Sequence, residues 1–209
     1  MFTGIVERAV PVASVGDHAG GRRLSLGVRW GDERHGESIA VNGCCLTVAA
    51  IHDDRLEFDV IRETLDKTNF GRLRAGDRVH VERSLRAADR LDGHFVLGHV
   101  DGMVELVDRR AGEAEWRLRL RAPDALARHV MPQGSVCLDG VSLTVAALAG
   151  PEFEVALIPT TLEKTALGDR PVGWPMNFEA DILVKTVVTT LERMRTSPAA
   201  WGRATPMAP

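Results

Sequence analysis

SIAVNGCCLTVAAIHDDRLEFDVIRETLDKTNFG, residues 38–71, returns as SVCLDGVSLTVAALAGPEFEVALIPTTLEKTALG at residues 135–168. The two stretches align without a gap at a constant offset of 97, and 14 of the 34 positions are identical. Ordinary composition would give about 2 by chance. The offset persists further along, where Gly76 meets Gly173, Val81 meets Phe178 and Glu82 meets Glu179. Near the start, Gly4-Ile5-Val6 matches Gly98-His99-Val100 at a slightly different offset. One structural unit is therefore used twice, over roughly 1–92 and 93–185, with a tail behind.

Each copy reads as β. Alternating apolar residues run through Ile39/Val41, Leu46/Val48 and Leu56/Phe58/Val60, and again through Val136/Leu138, Leu143/Val145 and Phe153/Val155/Leu157. Asn42-Gly43 and Asp139-Gly140 sit between two such runs and predict two-residue hairpins. Several short strands with Gly-rich turns suggest a small closed barrel in each half, an all-β dominated fold. A short helical patch follows the last run of each copy; in the second, Thr160 and Glu163 fit a capping box. Residues 122–131, opened by Pro123, predict a connecting helix. In the tail, Val184, Val187, Leu191 and Met194 recur at 3-4-3 spacing, a seam for packing against the barrels or sister chains. The segment 182–195 is thus expected to be an oligomerisation helix, and the Pro- and Ala-rich 196–209 a disordered tail.

Composition narrows the classes. With 209 residues, 44% hydrophobic and 26% charged, the chain suits two units of ~100 residues that need no disulfide staples. A net charge of -3 gives no reason to expect nucleic acid or an anionic membrane. No apolar run is long enough to span a bilayer, and MFTGIVE at 1–7 does not resemble a secretion signal. Three cysteines, two of them adjacent, are no disulfide framework. A cytoplasmic protein is the expectation. Cys44-Cys45 lacks metal-ligand spacing and no His pair follows; dinucleotide and P-loop signatures are missing too. Neither metal nor cofactor is expected.

The reactive candidates follow from strand parity. Cys45 and Thr47 share one face, while Cys44, Leu46 and Val48 share the core face. The equivalents of the first pair are Ser142 and Thr144, again polar. A buried Cys is also simply a small hydrophobe, but paired polar faces at equivalent positions suit two similar ligands. His99 stands where the first copy has Ile5, an asymmetry that lets two like ligands be treated differently, since imidazole titrates near neutrality. His94 lies five residues away, an odd spacing that puts it on the opposite side, and reads as structural.

At these residues the chain resembles the riboflavin synthase α-type family, through MFTGIVE at 1–7, SIAVNGCCLTV at 38–48, GHFVLGHVDG at 93–102, GSVCLDGVSLTV at 134–145, LIPTTLEKTALG at 157–168 and NFEADILVKTV at 177–187. The resemblance implies two tandem six-stranded antiparallel Greek-key β-barrels with short helices and a C-terminal helix gathering three chains into a homotrimer. It implies a transferase of riboflavin biosynthesis: two 6,7-dimethyl-8-ribityllumazine molecules dismutate by four-carbon transfer to riboflavin and 5-amino-6-ribitylaminouracil, without cofactor or metal. Carried over by position, the N-barrel site comprises Gly4, Ile5, Val6, Ser38, Cys45, Leu46, Thr47, Glu63 and Thr64. The C-barrel site comprises Gly98, His99, Val100, Ser142, Leu143, Thr144, Ile158, Pro159, Thr160 and Thr161, with Asp181 close by. The catalytic set is then Cys45, His99, Ser142, Thr144 and Asp181. His99, or hydroxyls at Ser142 and Thr144, would take a proton from the C7-methyl of one lumazine, and water or Cys45 would add to the other. The chain departs from the family at Gln133, where Lys is often found but Gln still hydrogen-bonds the ribityl chain, at Leu97, and at Asp92.

Two other classes fit the same barrels. A non-catalytic lumazine- or flavin-binding carrier would bind without turnover. A flavin-dependent reductase would need a nicotinamide-binding partner domain, for which the sequence has no motif.

Overall fold

The computed structural model describes residues 1–18, 20–113 and 115–196. The first copy contributes β1 (Arg8–His18), β2 (Gly21–Leu26), β3 (Ser38–Val41), β4 (Cys44–Ile51), β5 (Leu56–Ile61), a short α1 (Arg62–Lys67) and β6 (Arg78–Arg83). The second repeats the series as β7 (Gly102–Ala111), β8 (Trp116–Arg121), α2 (Asp124–Ala127), β9 (Ser135–Leu138), β10 (Val141–Ala149), β11 (Glu152–Leu157), α3 (Pro159–Lys164) and β12 (Pro175–Ala180). The tail forms α4 (Ile182–Thr196). Each copy closes into a six-stranded antiparallel barrel, in the orders β1-β2-β5-β4-β3-β6 and β10-β11-β8-β7-β12-β9. Followed around the ring these are the same order, so the duplication extends to topology. It extends to defects as well: the register slips between Val48 and Ala50 and between Val145 and Ala147, 97 residues apart in both cases.

The cores are the residues whose alternation predicts the strands. Ile39, Val41, Leu46, Val48, Leu56 and Phe58 fill the first barrel with Leu24, Leu26, Val79 and Val81. Val136, Leu138, Leu143, Val145, Phe153 and Val155 fill the second with Leu118, Leu120, Met176 and Phe178. Each barrel has its own apolar centre, and closure leaves no strand edge unpaired.

Both predicted hairpins form. Val41 pairs with Cys44 and Leu138 with Val141, leaving two turn residues each, with φ of 41° and 74° at Asn42-Gly43 and 44° and 84° at Asp139-Gly140. These values belong to the type I′ turn that Asn-Gly and Asp-Gly favour. The two tips touch: a Cβ on Gly43 would lie 2.6 Å from the amide nitrogen of Gly140. A pseudo-twofold axis runs between them.

Around that axis the barrels exchange hydrogen bonds in matched pairs. Asn177 donates from Nδ2 to the Asn42 carbonyl (2.9 Å) and accepts the Asn69 N–H at Oδ1 (2.7 Å). Its counterpart His80 bonds the Asp139 carbonyl through Nδ1 (2.6 Å) and accepts the Ala166 N–H at Nε2 (2.8 Å). These partners require the proton on Nδ1 and a neutral ring, and burial pushes the His80 pKa down to about 3.

Two local expectations change. The predicted helix over 122–131 is helical only at Asp124–Ala127. His129 and Val130 continue as i→i+3 turns, and Pro132 disfavours the helical conformation at Met131. The capping box at Thr160 and Glu163 does not form. Pro159 occupies the first helical position, so Ile158 is the N-cap and no side chain caps the helix. A proline has no N–H to satisfy and starts the helix two residues early. The tail helix forms at the expected place. Its start is capped by Asp181, whose Oδ1 accepts the Leu183 N–H at 2.9 Å. It is tied to the second barrel by ion pairs from Lys185 to Asp101 and from Glu192 to Arg128. Residues 197–209 of the expected disordered tail lie outside the described residues.

Candidate active site

The site is built on the two lead-in segments that the repeat matches at its less regular end. Phe2 and Val96 pair antiparallel across the pseudo-axis, with Phe2 N donating to Val96 O at 2.7 Å and Val96 N to Phe2 O at 3.2 Å. Two equivalent carboxylates hold the segments. Glu82 accepts from the Thr3 and Gly4 amides (2.6 and 3.0 Å) and the Thr3 hydroxyl (2.8 Å). Glu179 accepts from the amides of Leu97, Gly98 and His99 (2.7, 3.0 and 3.1 Å). Burial raises both glutamate pKa values and the donated N–H groups oppose the rise. Carboxylates in such nests fix backbone; they do not face a ligand.

Held this way, each lead-in crosses to the other barrel. The Gly98 carbonyl accepts the Cys45 N–H at 2.9 Å, and the Gly4 carbonyl accepts the Ser142 N–H at 2.8 Å. Both glycines have positive φ (77° and 76°) and no room for a side chain: a Cβ would stand 2.6 Å from Cys45 Cβ at Gly98 and 2.7 Å from Ser142 Cβ at Gly4. The grouping expected from the sequence is therefore exchanged. Gly98, His99 and Val100 join Cys45, Glu63 and Thr64, while Gly4, Ile5 and Val6 join Ser142, Ile158, Thr160 and Thr161. Self-alignment finds equivalent residues, but it cannot say on which barrel a crossing segment comes to rest.

Two open cavities result. The one on the first barrel, of about 320 Å³, is lined by Cys44, Cys45, Glu63, Thr64, Lys67, Thr68, Gly98, His99 and Val100. Its counterpart on the second barrel, of about 150 Å³, is lined by Gly4, Ile5, Val6, Val141, Ser142, Ile158, Thr160, Thr161, Lys164 and Thr165. Strand parity holds at both: Cys44 is buried and Cys45 half-buried, Val141 buried and Ser142 half-buried. Burial drives the Cys44 pKa up to about 12, so Cys44 remains a thiol and Cys45 is the thiol that faces the cavity.

Other expected residues fall elsewhere. Leu46 and Leu143 point into the barrel cores and can offer a ligand only backbone. Thr47 and Thr144 are exposed one strand position beyond the cavities, and Ser38 pairs with Thr47 along the strand. Pro159 starts α3 and does not line the cavity. Gln133 occupies a left-handed turn position, φ 60°, where the first copy has Gly36 at φ 83°. Its side chain is exposed, and it lines neither cavity. Asp181 caps α4.

The residue that sequence reasoning sets aside is His94. Its Nδ1 lies 2.7 Å from the Ser142 Oγ, and only 8% of the residue is exposed. Burial lowers its pKa and the nearby Asp181 carboxylate opposes the drop. In the tautomer that carries its proton on Nε2, a neutral His94 can accept the Ser142 hydroxyl proton at Nδ1, which leaves the Oγ lone pairs for a ligand in the cavity. The first cavity has no such pair; it offers Cys45, His99 and the Glu63–Lys67 ion pair instead. Among the described residues no cluster of His, Cys, Asp and Glu is fit to hold a metal ion, and no helix is long and apolar enough to cross a membrane.

Comparison with known proteins agrees with this geometry. A family model described as the lumazine binding domain matches twice, at residues 3–84 and 97–181. Riboflavin synthase of Mycobacterium tuberculosis (strain ATCC 25618 / H37Rv) is 44% identical over 193 residues, covering 90% of this chain and 96% of the relative. Riboflavin synthase of Escherichia coli (strain K12) is 37% identical over 199 residues, covering 93% of each. Among solved structures, LumP complexed with riboflavin superposes with a TM-score of 0.81 at 22% identity, over 86% of this chain and 99% of that one. LumP complexed with 6,7-dimethyl-8-(1'-D-ribityl) lumazine gives 0.79 at 21%, with the same coverage. At that identity the likeness is one of fold.

Proposed function

The chain belongs to the riboflavin synthase family of lumazine binding domain proteins, and on that premise we propose that it converts two 6,7-dimethyl-8-ribityllumazine molecules into riboflavin and 5-amino-6-ribitylaminouracil. The observation that carries this reading is a pair of cavities that are equivalent in position and unlike in chemistry. A dismutation needs two identical molecules to be treated differently. One must lose a proton from its C7-methyl, and the other must be attacked at C7. The Ser142–His94 pair suits the deprotonation, because the hydroxyl can take the methyl proton as its own passes to the imidazole, leaving an imidazolium beside Asp181 to balance the carbanion. Cys45, reachable and next to His99, suits transient addition to the second ring. Four carbons move from one lumazine to the other and the two products account for every atom, so no oxidant or cofactor enters. Good orientation of two flat rings supplies roughly 7–11 kcal/mol of the barrier by itself.

Neither cavity alone encloses a ring system, which is why the reaction calls for cavities of two chains placed face to face. Joining the first barrel of one chain to the second barrel of the next is a heterologous contact, and it closes into a ring when the rotation allows. We infer a homotrimer. The exposed Leu183, Val187, Leu191 and Met194 on α4 supply an apolar surface for three tails to share. Three free cysteines suit a reducing compartment, the cytoplasm. Incubating the protein with the lumazine as sole substrate tests the function: flavin fluorescence should grow in wild type and fall at least tenfold in rate in Ser142→Ala. Tight binding without any flavin would instead make the protein a carrier.

A further inference from the structure

Each cavity contains one lysine, and the two are not in the same electrostatic state. Lys67 on α1 and Lys164 on α3 are equivalents at the repeat offset and both line their cavities. In the first, Glu63 stands one helical turn before Lys67 with its Oε1 2.9 Å from Nζ. That contact holds the lysine pKa up and the glutamate pKa down. In the second, the place of Glu63 is taken by Thr160. No Asp or Glu lines that cavity, and among the described residues no carboxylate forms an ion pair with Lys164. Glu163, the neighbour in sequence, points another way, because successive helix residues do not face each other.

The second cavity thus combines hydroxyls at Ser142, Thr160, Thr161 and Thr165 with an uncompensated ammonium at its mouth, where Lys164 is exposed. Hydroxyls along a wall suit a polyhydroxy chain, and a free cation at the rim suits an anion at the end of that chain. The first cavity keeps two of these hydroxyls, at Thr64 and Thr68, and has its rim charge cancelled. We propose that Thr160 and Lys164 make the second-barrel cavity selective for flavins or lumazines carrying a phosphomonoester on the sugar-alcohol chain, while the Glu63–Lys67 pair makes the first-barrel cavity indifferent to that charge. This rests on the flavin-class function above and adds a discrimination to it. A phosphorylated flavin can then occupy half of the site and slow turnover without being a substrate.

The test is a fluorescence titration of the full-length protein with riboflavin and with riboflavin 5′-phosphate at about 50 and about 500 mM salt, which spans the range from weak to strong screening. A unit charge about 5 Å from an exposed ammonium gains roughly fourfold in affinity, and high salt removes most of that gain. One class of sites should therefore bind the phosphate form about fourfold or more tightly than riboflavin at low salt, with the ratio falling toward one at high salt. Lys164→Gln should bring the ratio to one at both salts. Glu63→Thr should give the second class of sites the same phosphate preference. A ratio of one in wild type, a ratio that survives Lys164→Gln, or no gain in Glu63→Thr would overturn the inference while leaving the function standing. Failure to bind riboflavin itself would overturn both.

Discussion

In a Gly98→Ala variant the new methyl would lie 2.6 Å from Cys45 Cβ and 2.8 Å from the Cys45 amide nitrogen, on a backbone held at φ 77°. Two costs add. An alanine in the left-handed region loses roughly 1–2 kcal/mol relative to glycine. The collision is with backbone and a Cβ, not with the end of a flexible chain, so the segment must move off the strand. That movement gives up the 2.9 Å bond from Cys45 N–H to the Gly98 carbonyl, and an unpaired amide there costs about 1–3 kcal/mol more. The expected loss is about 2–5 kcal/mol from a domain-scale stability of roughly 5–15 kcal/mol. Gly173→Ala is the matched control, because Gly173 has φ 85° and nothing within 4 Å of its Cβ position; it should lose only the backbone cost of about 1–2 kcal/mol. Denaturant unfolding read at both midpoints, with turnover measured on the same preparations, separates the two costs. Gly98→Ala should also lose most turnover, since the moved segment carries His99 away from Cys45. Equal destabilisation by the two variants, or full turnover in Gly98→Ala, would refute the crossed arrangement of the lead-in segments.

Cys45→Ser should cut turnover at least tenfold with little change in unfolding midpoint. Cys44→Ser should do the reverse, costing about 1–3 kcal/mol for a hydroxyl buried in the core while leaving kcat near wild type; equal effects on rate would mean that the strand faces the other way. His80 binds fewer protons folded than unfolded, because burial takes its pKa from 6.5 to about 3. Its contribution is complete above pH 6.5 and is lost as pH falls toward 3, at a slope approaching about 1.4 kcal/mol per pH unit. Asp139 works against this between about pH 6 and pH 4, since burial raises its pKa from 3.8 to about 6 and protonation there relieves the folded state. His80→Asn, which can make both bonds as Asn177 does, should flatten the acid limb relative to wild type in pH-resolved unfolding; an unchanged difference between the two curves would deny His80 that role. Deleting residues 182–209 should lower the light-scattering mass and the activity together, and a truncated protein of unchanged mass and activity would detach α4 from the assembly.

Much of this fold is legible in the repeat because the barrel cores obey strand parity. Phe58, Val60, Phe153 and Val155 are buried where alternation puts them, and Asn42-Gly43 and Asp139-Gly140 make the turns their φ preferences demand. Parity also separates Cys45 from Cys44 and Ser142 from Val141. Where sequence falls short, the cause is tertiary. Residues 94–99 form no strand, only a single bridge from Val96 to Phe2, so the odd spacing of His94 and His99 does not place them. The crossing of the segment does, and it makes a residue that reads as structural the partner of Ser142. Nothing local to GHFVLGH says that its first half serves one barrel and its second half the other; that depends on Glu179 and on the pairing of Val96 with Phe2. Position in the family assigns Gln133 to the ligand, yet in this chain it fills a turn where the first copy uses glycine. The absent capping box has a local cause, Pro159, which pre-empts the first helical position.

Product stoichiometry tests the dismutation most directly. Full-length protein given 6,7-dimethyl-8-ribityllumazine alone, without metal or cofactor, should consume two molecules for each riboflavin formed and release one 5-amino-6-ribitylaminouracil, quantified together by chromatography. Riboflavin formed without the pyrimidine, or lumazine retained on the protein with no flavin at all, would contradict it.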